Sequence, residues 1–204
     1  MTLSAPYFEQ LFAESDDPWA FKTRWYEQRK RDLTLAALPR QRYRRVFEPA
    51  CANGELSLRL AQRSDAFVGM DLCTKAVTLA RERLAHLPGI DVLEGRLPKD
   101  WPQGRFDLIV LSELAYYLTP GELAAVIQRV LASLTADGAV LACHWLHPIE
   151  GCAMDGRQVH AQLAAQLPLQ RLVRHEEADF VLELWTATPH AFDLDERTLQ
   201  GTAP

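Results

Sequence analysis

No run of apolar residues in the chain approaches the ~20 needed to cross a bilayer, so no membrane partner is expected. Met1 to Pro6 lacks the basic and apolar regions of a secretory signal. Cysteine is scarce: Cys51, Cys73, Cys143 and Cys152 stand apart without paired spacing, a pattern of reduced thiols rather than of a disulfide framework. Together these absences point to a cytoplasmic protein. An excess of positive charge is also missing. With 22 Lys and Arg against 27 Asp and Glu, the net charge is −5, which gives a nucleic-acid partner no electrostatic support. Internal repeats and low-complexity segments are absent. What remains is 204 residues, nearly half of them apolar, enough for one α/β domain with a full core and too few for a second of useful size.

A GxGxxG dinucleotide fingerprint is absent as well. In its place stands Arg45-Val46-Phe47-Glu48-Pro49-Ala50-Cys51-Ala52-Asn53-Gly54-Glu55-Leu56. An apolar run ends in an acid, passes through small residues to a glycine, then opens an amphipathic stretch (Leu56, Leu58, Leu60, Ala61). This reads as strand, tight turn and helix start, the unit that holds a nucleotide-like ligand at the C-terminal edge of an open α/β sheet. Glu48 argues against a pyrophosphate and for a ligand with a positive or hydroxyl-rich end. The pattern Glu-x-Ala-x-Ala-x-Gly resembles the first motif of class I S-adenosylmethionine (SAM) methyltransferases, with Ala50 and Ala52 where glycines are usual.

A second strand, Ala66 to Asp71, ends in an acid about twenty residues past the loop, the separation at which nucleoside-binding folds place a carboxylate for the ribose hydroxyls. The plainer reading of Asp71 is a helix cap. A third strand covers Gly89 to Leu97. Methyltransferases of this class usually carry an acid there for the adenine amino group. Arg96 stands at that place, so the backbone of Arg96 and Leu97 is expected to read adenine. Gly104 to Glu113 is a fourth strand, with an unbroken apolar run, Leu108 to Leu111, as buried parallel strands show. Thr119 caps a helix running to Leu134. A turn at Ala136-Asp137-Gly138 leads to a fifth strand, Ala139 to Trp145. Arg157 to Gln166 is helical, and two alternating runs, Leu169 to His175 and Phe180 to Trp185, read as an edge hairpin. The expected fold is therefore α/β and Rossmann-like: a mostly parallel seven-stranded sheet closed by an antiparallel hairpin. Upstream, Tyr7 to Phe12 is a short helix and Phe21 to Leu38 a long one, opened by Pro18. It is either a helix packed on the sheet with a solvated basic face or a lid over the ligand. One domain, 1–188, with a lid at 7–38, and a disordered tail, 189–204, complete the organisation.

Two stretches narrow the family. One is Asp17-Pro18-Trp19-Ala20-Phe21-Lys22-Thr23 with Trp25-Tyr26-Glu27 and Lys30; the other is Phe106 to Leu118, with Ser112-Glu113-Leu114-Ala115-Tyr116-Tyr117-Leu118 at its end. With the Glu48 to Gly54 loop they resemble the nodulation protein S (NodS-like) SAM-dependent N-methyltransferases, over about Tyr7 to Trp185. The resemblance implies SAM as cofactor and S-adenosylhomocysteine (SAH) as product. It implies a cofactor site from Glu48, Ala50, Cys51, Gly54, Asp71, Leu72, Arg96, Leu97 and Ser112, with Trp19 and Lys30 from the lid. It also implies a small-molecule amine acceptor, on an amino sugar or glycan, for a monomer or homodimer.

Chemistry at such a site is mostly alignment and exclusion of water. An amine must be neutral to attack, so a mild base or an orienting acceptor suffices. His144 or Glu113 is expected in that role, with Tyr117 beside them as a further catalytic candidate. Tyr116, Trp145, His147 and His160 are expected at the substrate, where a tyrosine could stack on a sugar face; packing alone would also explain these aromatics. The three histidines lack a usual metal spacing, and the chemistry needs no metal. The rival readings are an O- or S-methyltransferase and a non-catalytic protein that binds SAM or a nucleoside.

Overall fold

Strand β1 (Tyr43–Pro49) forms from the first apolar run, and its last four residues are buried. In the computed structural model, which describes residues 5–188, it lies third in a seven-stranded sheet. The expected tail, 189–204, lies outside the described residues. The other strands are β2 (Ser64–Asp71), β3 (Ile90–Glu94), β4 (Phe106–Ser112), β5 (Leu134–Trp145), β6 (Gln170–Glu176) and β7 (Phe180–Thr186), in the order β3-β2-β1-β4-β5-β7-β6. The first five are parallel, and β7 runs antiparallel to both β5 and β6. The expected sheet and its closing hairpin are both present.

Strand β4 shows why Leu108 to Leu111 are apolar without a break. Leu108 and Val110 face a core shared with helices α3 (Glu55–Ala61) and α4 (Thr74–Leu84). Ile109 and Leu111 face the opposite core, shared with α5 (Pro120–Ser133) and α6 (Gly156–Gln166). Successive side chains of a strand point to opposite faces, so a strand covered on both must be apolar at every position. The strand order reverses between β1 and β4. The chain loops that follow these two strands diverge to opposite sides, and the crevice between them is where open α/β sheets bind ligands.

Two expectations fail for local reasons. The helix expected over Phe21 to Leu38 is shorter: α2 spans Trp25–Ala36, after α1 (Ala5–Glu14) and a turn. The Asp17 carboxylate accepts the Phe21 and Lys22 N–H groups at 2.9 and 3.0 Å, and Ala20 takes a φ of 55°, so the chain after Pro18 coils instead of opening a helix. The turn expected at Ala136-Asp137-Gly138 is instead part of β5, which begins at Leu134. Leu134 pairs with Phe106 and Ala139 with Leu108, so the extra residues bulge out of register. Arg44 holds the bulge by its Asp137 carboxylate at 2.8 Å.

Gly54 has a positive φ of 79° at the N-terminus of α3, and a Cβ there would lie 3.1 Å from the Ala80 Cα of α4. The glycine thus serves helix packing, whereas the sequence suggested close approach to the ligand. Gly54→Val adds backbone strain and a clash together, and is expected to cost at least about 2 kcal/mol. A urea denaturation midpoint equal to the wild type would refute this packing role.

Candidate active site

At the C-terminal ends of β1 to β4 lies a cavity of about 400 Å³, walled by Ala50, Ala52, Asp71, Leu72, Arg96 and Leu97 at one end and by Lys30, Glu113, Tyr116, Tyr117 and Trp145 at the other. Trp19, Phe21 and α1, through Phe8 and Phe12, roof it. Eleven of the residues singled out in the sequence therefore converge here.

The loop after β1 makes the cradle. Ala50 and Ala52 hold φ angles of 55° and 49°, the left-handed region that glycine adopts freely and that costs an L-residue about 1–2 kcal/mol. Nearby bonds hold this conformation: Ala52 N–H donates to Asp71 Oδ2 at 2.9 Å, and Cys51 N–H to the Met70 carbonyl at 3.0 Å. Alanine at both positions places two methyl groups at the cavity wall. Asp71 Oδ1 also accepts the Cys73 N–H at 3.0 Å. Burial raises the Asp71 pKa, and these amide bonds restrain the rise. Each oxygen accepts a single bond from the protein, so the carboxylate retains lone pairs for a pair of hydroxyls. This donor set fits a ribose.

Other expected cofactor residues lie behind the wall. Glu48 is buried beneath the loop, accepts the Ser57 hydroxyl at 2.5 Å, and is pushed up to about 8 by burial against that hydrogen bond. Cys51, Gly54 and Ser112 do not line the cavity either. The Arg96 backbone is already engaged, its N–H donating to Asp100 and its carbonyl accepting the Asp100 N–H, both at 2.9 Å. Of the backbone expected to read adenine, the Arg96 N–H is thus occupied, while its carbonyl keeps one lone pair.

The other end converges on Glu113, itself at a φ of 54°. Its Oε2 accepts the Tyr116 hydroxyl and the Trp145 N–H, the latter at 3.1 Å, while Oε1 accepts Lys30 Nζ at 2.7 Å. Lys30 also pairs with Glu27 at 3.1 Å and lies 5.1 Å from the Tyr26 ring centre. Burial opposes the Lys30 charge, but Glu113 and Glu27 outweigh it and hold the ammonium above the ordinary lysine range. Burial likewise raises the Tyr116 and Tyr117 phenols, so both remain hydrogen-bond donors. Tyr117 packs edge-on against Phe8 of α1 at 5.0 Å.

The histidines are elsewhere. His144, expected to meet the acceptor, is fully buried behind the wall with both ring nitrogens engaged, so it reaches no substrate. His160 is buried beyond it, and His147 faces Asp179 at 2.7 Å on the surface. Strand alternation explains the first displacement: Cys143 and His144 point to opposite cores. Among the described residues no group of three or more His, Cys, Asp or Glu converges as a metal site.

Sequence reasoning missed Glu27, Arg24, Phe21, Phe8 and Asn53. Glu27 and Lys30 are spaced i,i+3 on a helix, legible as a pair but indistinguishable from a solvated one. Asn53 is the clasp of the roof: its amide donates to the Asp16 carbonyl and the Asp17 carboxylate, both at 3.0 Å, joining the N-terminal segment to the cradle loop.

Fold and cleft together define the class: the fold is that of the class I SAM-dependent methyltransferases. Within it, the profile of the family described as Nodulation protein S (NodS) matches residues 9–172, and the chain belongs to that family. It is 25% identical over 145 residues to Nodulation protein S of Sinorhizobium fredii, covering 69% of this chain and 62% of that protein. An uncharacterized methyltransferase of Synechocystis is 30% identical over 114 residues, 55% of this chain and 52% of the other. The chain spans between 52% and 62% of the length of the curated relatives it matches. Among solved structures, a Pseudomonas syringae protein provisionally described as a methyltransferase is 54% identical, with a TM-score of 0.72 over 80% of this chain and 99% of its own. The N-methyltransferase NodS of Bradyrhizobium japonicum in complex with SAH is 21% identical, with a TM-score of 0.81 over 91% of this chain and 98% of its own.

Two outcomes follow for the cofactor end. Asp71→Ala removes a charged acceptor and should weaken SAM by about 1.5–3 kcal/mol in calorimetry; an unchanged dissociation constant in the folded variant would dismiss the ribose role. The roof should order over its ligand, so SAH is expected to slow proteolysis between Phe8 and Leu38. Equal cutting with and without SAH would make the segment a packed helix only.

Proposed function

We propose that the protein transfers the SAM methyl group to the neutral nitrogen of a primary amine, on an amino sugar or a related small molecule. In this reading residues 1–188 form one catalytic domain with 7–38 as its lid, working in the cytoplasm, where four unpaired thiols are at home. The observation that carries it is the Glu113 carboxylate at the end of the cavity opposite the ribose site. Bound there, SAM supplies an electrophilic methyl on a sulfonium, displaced in line.

The chain's own residues then have three tasks. Glu113 Oε2 has both lone pairs filled by Tyr116 and Trp145, whereas Oε1 accepts only Lys30. Oε1 therefore has room for an amine N–H, which aims the nitrogen lone pair away from the carboxylate. The Glu113 carboxylate beside the nitrogen favours the cation that the nitrogen becomes on methylation. Trp145, edge-on to Tyr26 at 5.5 Å, and the aromatic roof offer flat surfaces for a sugar face and exclude water. Arg24 and Lys30 are the cations near this end, suited to the methionyl carboxylate of the cofactor.

The test is a screen of amine acceptors that includes a glucosamine-terminated chitin-type oligosaccharide and its N-acetylated form. The rate with the amine should rise with pH and level off as the amine loses its proton. The acetylated form should be inert, because its lone pair is delocalised. Glu113→Gln should lower kcat/KM for the acceptor by about 10²–10⁴ while SAH affinity changes little. Methylation of the acetylated sugar would put oxygen-directed transfer in front.

A further inference from the structure

Three buried polar side chains take no part in the chemistry above. His144 and Glu183 have no exposed surface and His160 has 3%. They form a continuous line: Ala115 N–H donates to His144 Nε2 at 3.2 Å, His144 Nδ1 meets His160 Nε2 at 3.1 Å, and His160 Nδ1 meets Glu183 Oε2 at 2.7 Å. Glu183 Oε1 then accepts Arg171 and Arg174, at 2.8 and 2.6 Å, from half-exposed positions on β6.

The position of every proton follows. A backbone N–H cannot accept, so His144 Nε2 is bare and its Nδ1 must carry the ring proton. That proton is donated to His160 Nε2, which must be bare in turn. His160 therefore carries its proton on Nδ1 and gives it to the carboxylate. A second proton on His160 would push the His144 proton onto Nε2, against the Ala115 N–H. The line is no proton wire to the substrate, because it ends on an amide nitrogen.

What it ends on is informative. Ala115 begins the 3-10 turn Ala115–Tyr117, whose Tyr116 hydroxyl holds Glu113. Glu113 N–H is in turn fixed to the Cys143 carbonyl at 2.8 Å. We propose that Glu183, His160 and His144 are positioning residues, a chain locked in one pair of tautomers that fixes the acceptor-side turn from the β6–β7 hairpin. The strained φ of Glu113 leaves this turn in need of such outside support.

Glu183→Gln tests the lock, because it is isosteric and removes, with the charge, the ability to accept on both sides. The Gln oxygen must face the two guanidiniums, so its NH₂ faces His160. His160 then accepts on Nδ1, its proton moves to Nε2, and the reversal passes to His144, which presents an N–H to the Ala115 N–H. In ¹⁵N spectra of the imidazole rings, both histidines of the wild type should carry their proton on Nδ1, and both rings of the variant on Nε2. Ala115 amide exchange should accelerate at least about fivefold with the loss of its acceptor. SAH affinity should hold within about twofold, since the cofactor end is distant. For whichever amine the wild type methylates, turnover should fall while KM for SAM stays. A wild-type ring with its proton on Nε2, tautomers unmoved in the variant, or unchanged Ala115 exchange would each overturn the proposal. So would undiminished turnover beside reversed tautomers. The ring and amide measurements need no acceptor, so their failure is distinct from a failure of the amine screen.

Discussion

Everything at the acceptor end depends on one carboxylate. Glu113 leaves β4 with a positive φ, binds Tyr116 and the Trp145 backbone through one oxygen, and reaches across to Lys30 of α2 through the other. The sheet, the turn after β4, the end of β5 and the roof thus share a single group. A nearly buried ammonium alone would be costly, and so would two buried carboxylates. Each is tolerable here because Lys30 lies between Glu27 and Glu113, so α2 cannot leave without uncovering unpaired charge.

At the other end the constraint is backbone shape. The cradle loop keeps left-handed turns at two positions with alanine, where the loop needs the turn more than the freedom of glycine. The cost is met by hydrogen bonds from Ala52 to Asp71 and from Cys51 to Met70, so the acid at the end of β2 both braces the loop and stays open to the ligand. Asn53 carries the same economy further: it lies in the cradle and fastens the roof.

The two cores differ in their polar content near the site. Facing α3 and α4, the end of β5 presents Cys143 among apolar neighbours. Facing α6, it presents His144, and a polar line runs from there to the hairpin. A fully satisfied buried chain of this kind specifies one arrangement, since any partial version leaves a donor against a donor. The hairpin that closes the sheet is therefore joined to the turn after β4 by hydrogen bonds as well as packing.

The order of strands and helices was legible from apolar period alone, because a sheet covered on both faces demands unbroken apolar runs and its helices demand stripes. Glu48, Gly54 and Asp71 were legible as a motif. Which of them faces the cavity was not: Glu48 turns inward to Ser57 and Gly54 packs on Ala80, because each answers to a neighbour far along the chain. The Asp17 turn and the bulge at Asp137 escaped for a similar reason, being set by side-chain bonds that override local pattern. Sequence by itself determined the fold, the family and the identity of the carboxylates at the strand ends. Tertiary structure alone decided that Glu113 lines the cavity and His144 does not. The side a residue faces depends on strand register, and the partner that completes its hydrogen bonds comes from an element folded in from elsewhere.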